Sequence, residues 1–176
     1  FVNPRTGEIL GSDIMLEWSY ITNRVALDEL FNESYQSTDF CCNAAQFQQI
    51  ENSLGISYIK SMDFSQAMRE ELVKQSLYRL VLHEVGHTLG LNHNFKGSTL
   101  LTNAELNNKD IVNEKGICNS VMEYPAINIA KKPENQGLFF DIKPGPYDIW
   151  AIEYGYSSYT DPRIEEESLT KILSRS

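Results

Sequence analysis

The sequence is poor in cysteine and in histidine, with three of each among 176 residues. Three cysteines (Cys41, Cys42 and Cys118) are too few for a disulfide framework and do not show zinc-finger spacing. Buried thiols are one reading of them, and a bridge from Cys118 to one of the adjacent pair is the other; the sequence leaves both open. No apolar run approaches the roughly 20 residues needed to span a bilayer. Positive charge is scarce as well. Fifteen Lys and Arg stand against 24 Asp and Glu, a formal charge of −9 that repels phosphate backbones and anionic lipid over most of the surface. Neither nucleic acid nor membrane insertion is therefore expected. The opening Phe1-Val2-Asn3-Pro4 lacks both an initiator methionine and the charged-then-apolar pattern of a signal peptide, so the expectation is a fragment or a processed product.

What is present is ordinary globular composition, 41% hydrophobic and 22% charged, at a length that supports one domain with a real core. After turn chemistry at Asn3-Pro4-Arg5-Thr6-Gly7, residues 8–18 alternate Ile14, Leu16 and Trp18 with polar neighbours and Met15, which predicts a half-buried strand bent at Gly11-Ser12. A short helical pattern (Val25, Ala26, Leu30, Phe31) starts at Thr22 or Asn23. A second follows Ser37-Thr38-Asp39 and carries Phe40, Ala44, Phe47 and Ile50 on one face before Gly55. A long helix is predicted from about Ser65 to a stop at Gly90, with Met68, Leu72, Leu77, Val81 and Val85 or their neighbours as its apolar stripe. Beyond Asn92 the pattern is rich in loops. The capping box Thr102-Asn103-Ala104-Glu105 opens a helix ending before Gly116, Pro146 opens another running to Gly155, and Asp161-Pro162 opens a charged last helix whose Ile164, Leu169, Ile172 and Leu173 are available for docking.

All three histidines fall within His83-Glu84-Val85-Gly86-His87-Thr88-Leu89-Gly90-Leu91-Asn92-His93. Residues four apart on a helix lie about 5–6 Å apart on one face, so His83 and His87 can present nitrogens to one ion. Gly90 can take the left-handed conformation that ends a helix, turning the chain so that His93 returns as a third ligand. Three neutral imidazoles leave a fourth position for water, and Glu84 sits beside it as a general base rather than a ligand. An open site of three histidines indicates Zn2+ among divalent ions. Surface histidines with a solvated glutamate are the plain alternative, and the added glycine and third histidine weigh against it.

These residues match the metzincin signature HExxHxxGxxH at every fixed position, and the sequence resembles that clan of metallopeptidases. Ser120-Val121-Met122-Glu123-Tyr124 resembles the clan's methionine turn, which implies that Met122 is an apolar floor under the imidazoles and not a ligand. The match of Tyr124 to the Ser-x-Met-x-Tyr turn of astacins and serralysins implies a phenol that reaches the zinc or the reacting oxygen; a packing tyrosine is the alternative. Residues 147–152 resemble the start of the clan's last helix. Within the clan, the histidine segment with its following Asn94-Phe95, together with Val121-Met122-Glu123-Tyr124-Pro125 and the opening Asn3-Pro4-Arg5-Thr6-Gly7-Glu8-Ile9, is most similar to the bacterial Met-zincin family. Asn94 differs from the Glu of astacins, the Ser of matrix metallopeptidases and the Asp of adamalysins, so their substrate preferences do not carry over.

The resemblance implies an α+β zincin-like catalytic domain over 1–176, whole or as a fragment. Residues 1–90 form the upper subdomain, 91–158 the lower one and 159–176 a C-terminal helix. The clan's five-stranded upper sheet exceeds the one or two strands readable before the long helix, so the expectation is a reduced sheet or strands upstream of Phe1. The implied reaction is zinc-dependent hydrolysis of internal peptide bonds, with Glu84 taking the proton of a zinc-acidified water and passing it to the leaving amine. Substrate would lie extended along a rim strand, for which residues 13–18 are the candidate, with residues 125–129 walling the pocket beyond the cleaved bond. Protein or peptide substrates, flanking domains of a longer parent chain and an extracytoplasmic location (periplasmic, secreted or cell-surface) follow from the same resemblance. Two rivals stand beside it: a non-catalytic zinc-containing peptide-binding module, and a zinc hydrolase of a non-peptide amide.

Overall fold

The computed structural model describes residues 1–15, 44–62 and 65–175. Helix α1 (Ala44–Ser61) and helix α2 (Gln66–Thr88) pack antiparallel, with Asn52 of α1 bonded to Ser76 of α2 at 2.6 Å. Buried positions on α1 are Gln48, Asn52, Gly55 and Ile59, three and four apart as one helix face requires. Ile50, expected on the packing face, is exposed instead. The helix also runs through Gly55, where a side chain would overlap Ile127 and Leu72, so this glycine serves close packing and does not end α1.

Ser65 caps α2 from the extended conformation, its side chain accepting the Met68 N–H at 3.3 Å. The helix starts and stops where the sequence predicts, but its buried stripe is rotated. Leu72, Gln75, Ser76, Arg79, Leu80, His83 and Gly86 are buried, whereas Val81 and Val85 reach the surface. Polar residues occupy the inner face for a reason visible across from it. Residues 116–145 pass over α2 without regular structure beyond a single 3₁₀ turn (Pro133–Asn135), and buried backbone groups without a ladder must find side chains to bond. Gln75 accepts the N–H groups of Phe139 and Phe140 at 2.7 and 3.2 Å; Arg79 donates to the Glu123 carbonyl. The apolar core lies alongside, where Ile59, Leu72, Ile127, Phe139 and Phe140 cluster.

The predicted helix before Gly116 is two helices, α3 (Asn103–Leu106) and α4 (Lys109–Lys115). Its Thr102–Glu105 capping box is present, but Asn108 caps α4 anew by accepting the Asp110 and Ile111 N–H groups, which restarts the chain. Helix α5 (Pro146–Tyr156) and helix α6 (Pro162–Leu173) follow the predicted starts. They meet where the Trp150 indole donates to the Ile172 carbonyl at 2.9 Å. Of the four apolar residues offered for docking on α6, Ile172 is buried while Ile164 and Leu173 are exposed.

Among the described residues there is no β-strand, so the α+β expectation finds its helices here and not its sheet. Residues 8–15, predicted to open a strand, hold one isolated antiparallel bridge between Ile9 and Val2, and Leu10 and Met15 stand in solvent. The Asn3 N–H bonds the Glu8 carbonyl and the Leu10 N–H bonds the Phe1 carbonyl, at 2.8 and 2.9 Å, and among the described residues this pairing with residues 1–3 does not extend into a ladder. Residues 16–18, the helix expected from Thr22 or Asn23, and Cys41 and Cys42 lie outside the described residues. Cys118 is a buried free thiol whose titration is pushed up by burial and by Asp141. No helix among the described residues is long and apolar enough to cross a membrane.

Gln75→Leu is expected to destabilise the fold by about 1–3 kcal/mol, because it leaves the Phe139 and Phe140 N–H groups buried without an acceptor while preserving volume. Denaturant unfolding of the variant against wild type measures this; an unchanged midpoint would show that these groups rebond elsewhere.

Candidate metal centre

The end of α2 builds the centre. Leu89 closes the helix, Gly90 follows at φ +86°, the Gly90 N–H bonds the His87 carbonyl at 3.0 Å, and the Leu91 N–H bonds the Gly86 carbonyl at 3.0 Å. This is the Schellman pattern, which reverses the chain within three residues. The reversal brings His93 back over the helix. Its Nε2 then lies 3.2 Å from His83 Nε2 and 3.1 Å from His87 Nε2.

The ring orientations are fixed from behind. His83 Nδ1 is 2.8 Å from the Val121 carbonyl, and His87 Nδ1 is 3.1 Å from the Leu91 carbonyl. A carbonyl only accepts, so both Nδ1 atoms carry the proton, and both Nε2 atoms present lone pairs toward the point that His93 Nε2 also faces. Tetrahedral coordination at about 2.0–2.1 Å separates ligand nitrogens by about 3.3 Å, close to the two separations to His93. The donor atoms of His83, His87 and His93 all lie within 4.8 Å of one another, so the three residues could hold a metal ion. Burial, joined by the charges of Arg79 and the other two histidines, pushes His83 down to about 3, against the opposing pull of the Val121 carbonyl. His93 is shifted down too, by burial and then by His87, with Glu84 acting the other way. Both are neutral near pH 7, the form that coordinates.

Glu84 is half-buried and close enough to His93 for its charge to be felt there. Tyr124 places its hydroxyl 2.8 Å from His93 Nε2, at the point where the imidazoles converge. Phe95 stacks loosely against His93 and Tyr124, with ring centroids 5.8 and 5.9 Å away, and is 69% exposed. Met122 is wholly buried, and a side chain on Gly86 would overlap its sulfur. The methionine therefore sits against α2 between the turns that carry His83 and His87. The Asn94 N–H, donating to the Met122 carbonyl at 3.0 Å, ties the third histidine's loop to the same segment.

The structure thus brings together His83, Glu84, His87, His93, Met122 and Tyr124, which sequence reasoning singled out. A family model described as Met-zincin matches residues 65–176. The chain belongs to the Met-zincin family. Comparison with curated proteins and comparison with solved structures gave no match. The Met-zincin match starts at Ser65, the cap of α2, and spans the whole centre together with α5 and α6. Membership gives this Met-zincin a zincin-like fold and a metallopeptidase-type centre with zinc as its implied ion.

Several residues that support the centre were missed in the sequence. Arg79 and Glu123 hold the methionine turn from opposite sides: Arg79 bonds the Glu123 carbonyl, and the Glu123 carboxylate accepts the N–H groups of Ser98 and Tyr124 at 3.1 and 2.9 Å. Asp141 accepts the N–H groups of Ile117 and Cys118. Burial raises its carboxyl to about 6, with those N–H groups and Arg79 pulling it back, so it is ionised at neutral pH. Asp148, at the third position of α5, accepts from Ser120, Val121 and Gly145. Only Asp148 had a readable signal, a carboxylate in the first turn after Pro146.

Gly86→Ala should leave α2 helical yet displace Met122 and lower zinc affinity roughly 10-fold or more, since disturbing the surroundings of metal ligands typically has that cost. Chelator competition alongside circular dichroism measures it, and wild-type affinity in this variant would deny the floor its role.

Proposed function

We propose that this Met-zincin is a zinc-dependent endopeptidase. The observation that carries the reading is the convergence of three imidazole Nε2 atoms, two with their tautomer fixed by backbone carbonyls, on a point that the Tyr124 hydroxyl also reaches. Zinc held by His83, His87 and His93 supplies Lewis-acid polarisation of the scissile carbonyl and acidifies an attacking water. The chain's own groups do the rest. Glu84, next to His83 and not among the converging nitrogens, accepts the proton of the water and delivers it to the leaving amine. Tyr124 donates a hydrogen bond to the oxygen on which charge develops. Residues 125–129 leave Tyr124 without helix or turn, which suits them to wall the cleft beside the cleaved bond.

The same reading takes the catalytic unit to be an α+β domain acting on peptides or proteins, outside the cytoplasm and within a longer parent chain. A structural zinc site needs no general base, so Glu84 favours the enzyme over a peptide-docking module.

Cleavage of a mixed peptide library by the zinc-loaded, full-length protein tests the proposal. Internal cuts support it, binding without cleavage supports the docking module, and turnover of simple amides alone supports the other hydrolase. Glu84→Gln should keep zinc and lose several orders of magnitude in turnover, whereas His87→Ala loses both. Peptide hydrolysis by Glu84→Gln at the wild-type rate would end the general-base assignment. Tyr124→Phe keeps the ring and removes one donor, so turnover should fall about 10²-fold with little change in substrate affinity. An unchanged turnover number would make Tyr124 a packing residue.

A further inference from the structure

A chain of hydrogen bonds leads away from His83, each donor pointing the same way. His83 Nδ1–H donates to the Val121 carbonyl at 2.8 Å. That carbonyl shares its peptide unit with the Met122 N–H, which donates to Ser120 Oγ at 3.0 Å. The Ser120 hydroxyl donates in turn to Asp148 Oδ1 at 2.6 Å. The other oxygen of Asp148 accepts the N–H groups of Val121 and Gly145, both at 2.8 Å, which leaves the hydroxyl as the partner of Oδ1. Ser120, Met122, His83 and Asp148 are each no more than 3% exposed, so water does not compete with these bonds. Asp148 sits in the first turn of α5, where the helix dipole favours a carboxylate, and α5 contributes no residue to the converging nitrogens.

We infer that Ser120 and Asp148 are positioning residues for His83, linked to it by a carboxylate–hydroxyl–peptide–imidazole relay that fixes its tautomer and strengthens Nε2 as a donor toward zinc. Directed chains of this kind polarise cooperatively, and a carboxylate placed behind a ligating imidazole raises its basicity. Here the carboxylate acts through one hydroxyl and one peptide unit. His87 differs in kind, because its Nδ1 meets the Leu91 carbonyl of its own helix-ending turn. The inference rests on the proposed role of His83 as a zinc ligand.

Ser120→Ala cuts the relay and leaves both Oδ2 bonds of Asp148 in place. Ser76→Ala is its control, removing a buried serine that bonds Asn52 at 2.6 Å elsewhere on α2. Ser120→Ala should lower zinc affinity roughly 10- to 100-fold in chelator competition, while Ser76→Ala leaves it unchanged at comparable loss of thermal stability. Asp148→Asn should weaken zinc in the same direction. A second readout needs no metal. In the zinc-free wild type, imidazole 1H–15N spectra should show His83 protonated at Nδ1, with a downfield proton that moves upfield in Ser120→Ala. Wild-type zinc affinity in Ser120→Ala, equal losses in Ser120→Ala and Ser76→Ala, or an Nε2-protonated His83 in the wild type would each overturn the relay. A wild type that takes up no zinc would defeat the enzyme proposal instead, and the zinc-free spectra would still judge the relay.

Discussion

Burying an irregular chain against a helix is permitted only if every backbone N–H and C=O along it finds a partner, and that constraint organises this molecule. Residues 116–145 have no sheet ladder with which to meet it. Partners come instead from α2, which turns Gln75, Arg79 and His83 toward that chain at helical spacing, and from the buried carboxylates of Asp141 and Asp148. An apolar stripe could not do this, which explains why polar side chains occupy the inner face of α2 while Val81 and Val85 remain outside. His83 belongs to this series before it belongs to any metal site. Its Nδ1 satisfies the Val121 carbonyl, and its Nε2 on the far side of the ring is thereby turned toward His93 Nε2, 3.2 Å away.

Local chemistry made much of the framework legible. Ser65, the Thr102–Glu105 box, Pro146 and Asp161 act within four residues of themselves, and each sits at a helix start. Gly90 and the histidine spacing were readable because helix geometry and the turn that ends it are local too. The structure gathers the six residues marked by that spacing and by the methionine-turn resemblance. Arg79, Gln75 and Asp141 were invisible for a contrary reason. Each bonds backbone 23 to 65 residues away, and a side chain that satisfies distant backbone imposes no period on the sequence around it. The rotated stripe of α2 and the single bridge at residues 8–15 share that cause, since hydrophobic pattern does not decide where tertiary partners do. Asn108 misled more simply: an asparagine inside a helical pattern also caps.

The Schellman turn at Gly90 serves two of the three imidazoles at once. It returns His93 over the helix, and the Leu91 carbonyl it displays fixes the tautomer of His87. Gly86 contributes at the same level of the helix, bonding Leu91 through its carbonyl and admitting the Met122 sulfur where a side chain would stand. One residue thus joins the end of the helix to the floor under the centre. A larger residue there would favour helix formation by up to about 1 kcal/mol, so close packing outweighs propensity at this position.

Exposure divides the centre into a foot and a mouth. His83 is fully buried among Arg79, Val121 and Met122, whereas His93 and Tyr124 are half-buried and Phe95 stands mostly in solvent. A ligand therefore approaches from the side of His93, and the groups it meets first are a phenol, an apolar ring and the half-buried Glu84. In the proposed reaction they would serve as a hydrogen-bond donor, a surface for an apolar side chain and a base. Polar groups at the mouth can change partners as a substrate arrives, because water already competes for them. Groups at the foot cannot, since breaking a buried bond to His83 would leave the Val121 carbonyl without compensation. The division assigns rigidity to the imidazole anchored through the methionine turn and adaptability to the tyrosine two residues beyond it. The endopeptidase proposed above, which would hold an ion constantly and a reacting oxygen only transiently, needs both.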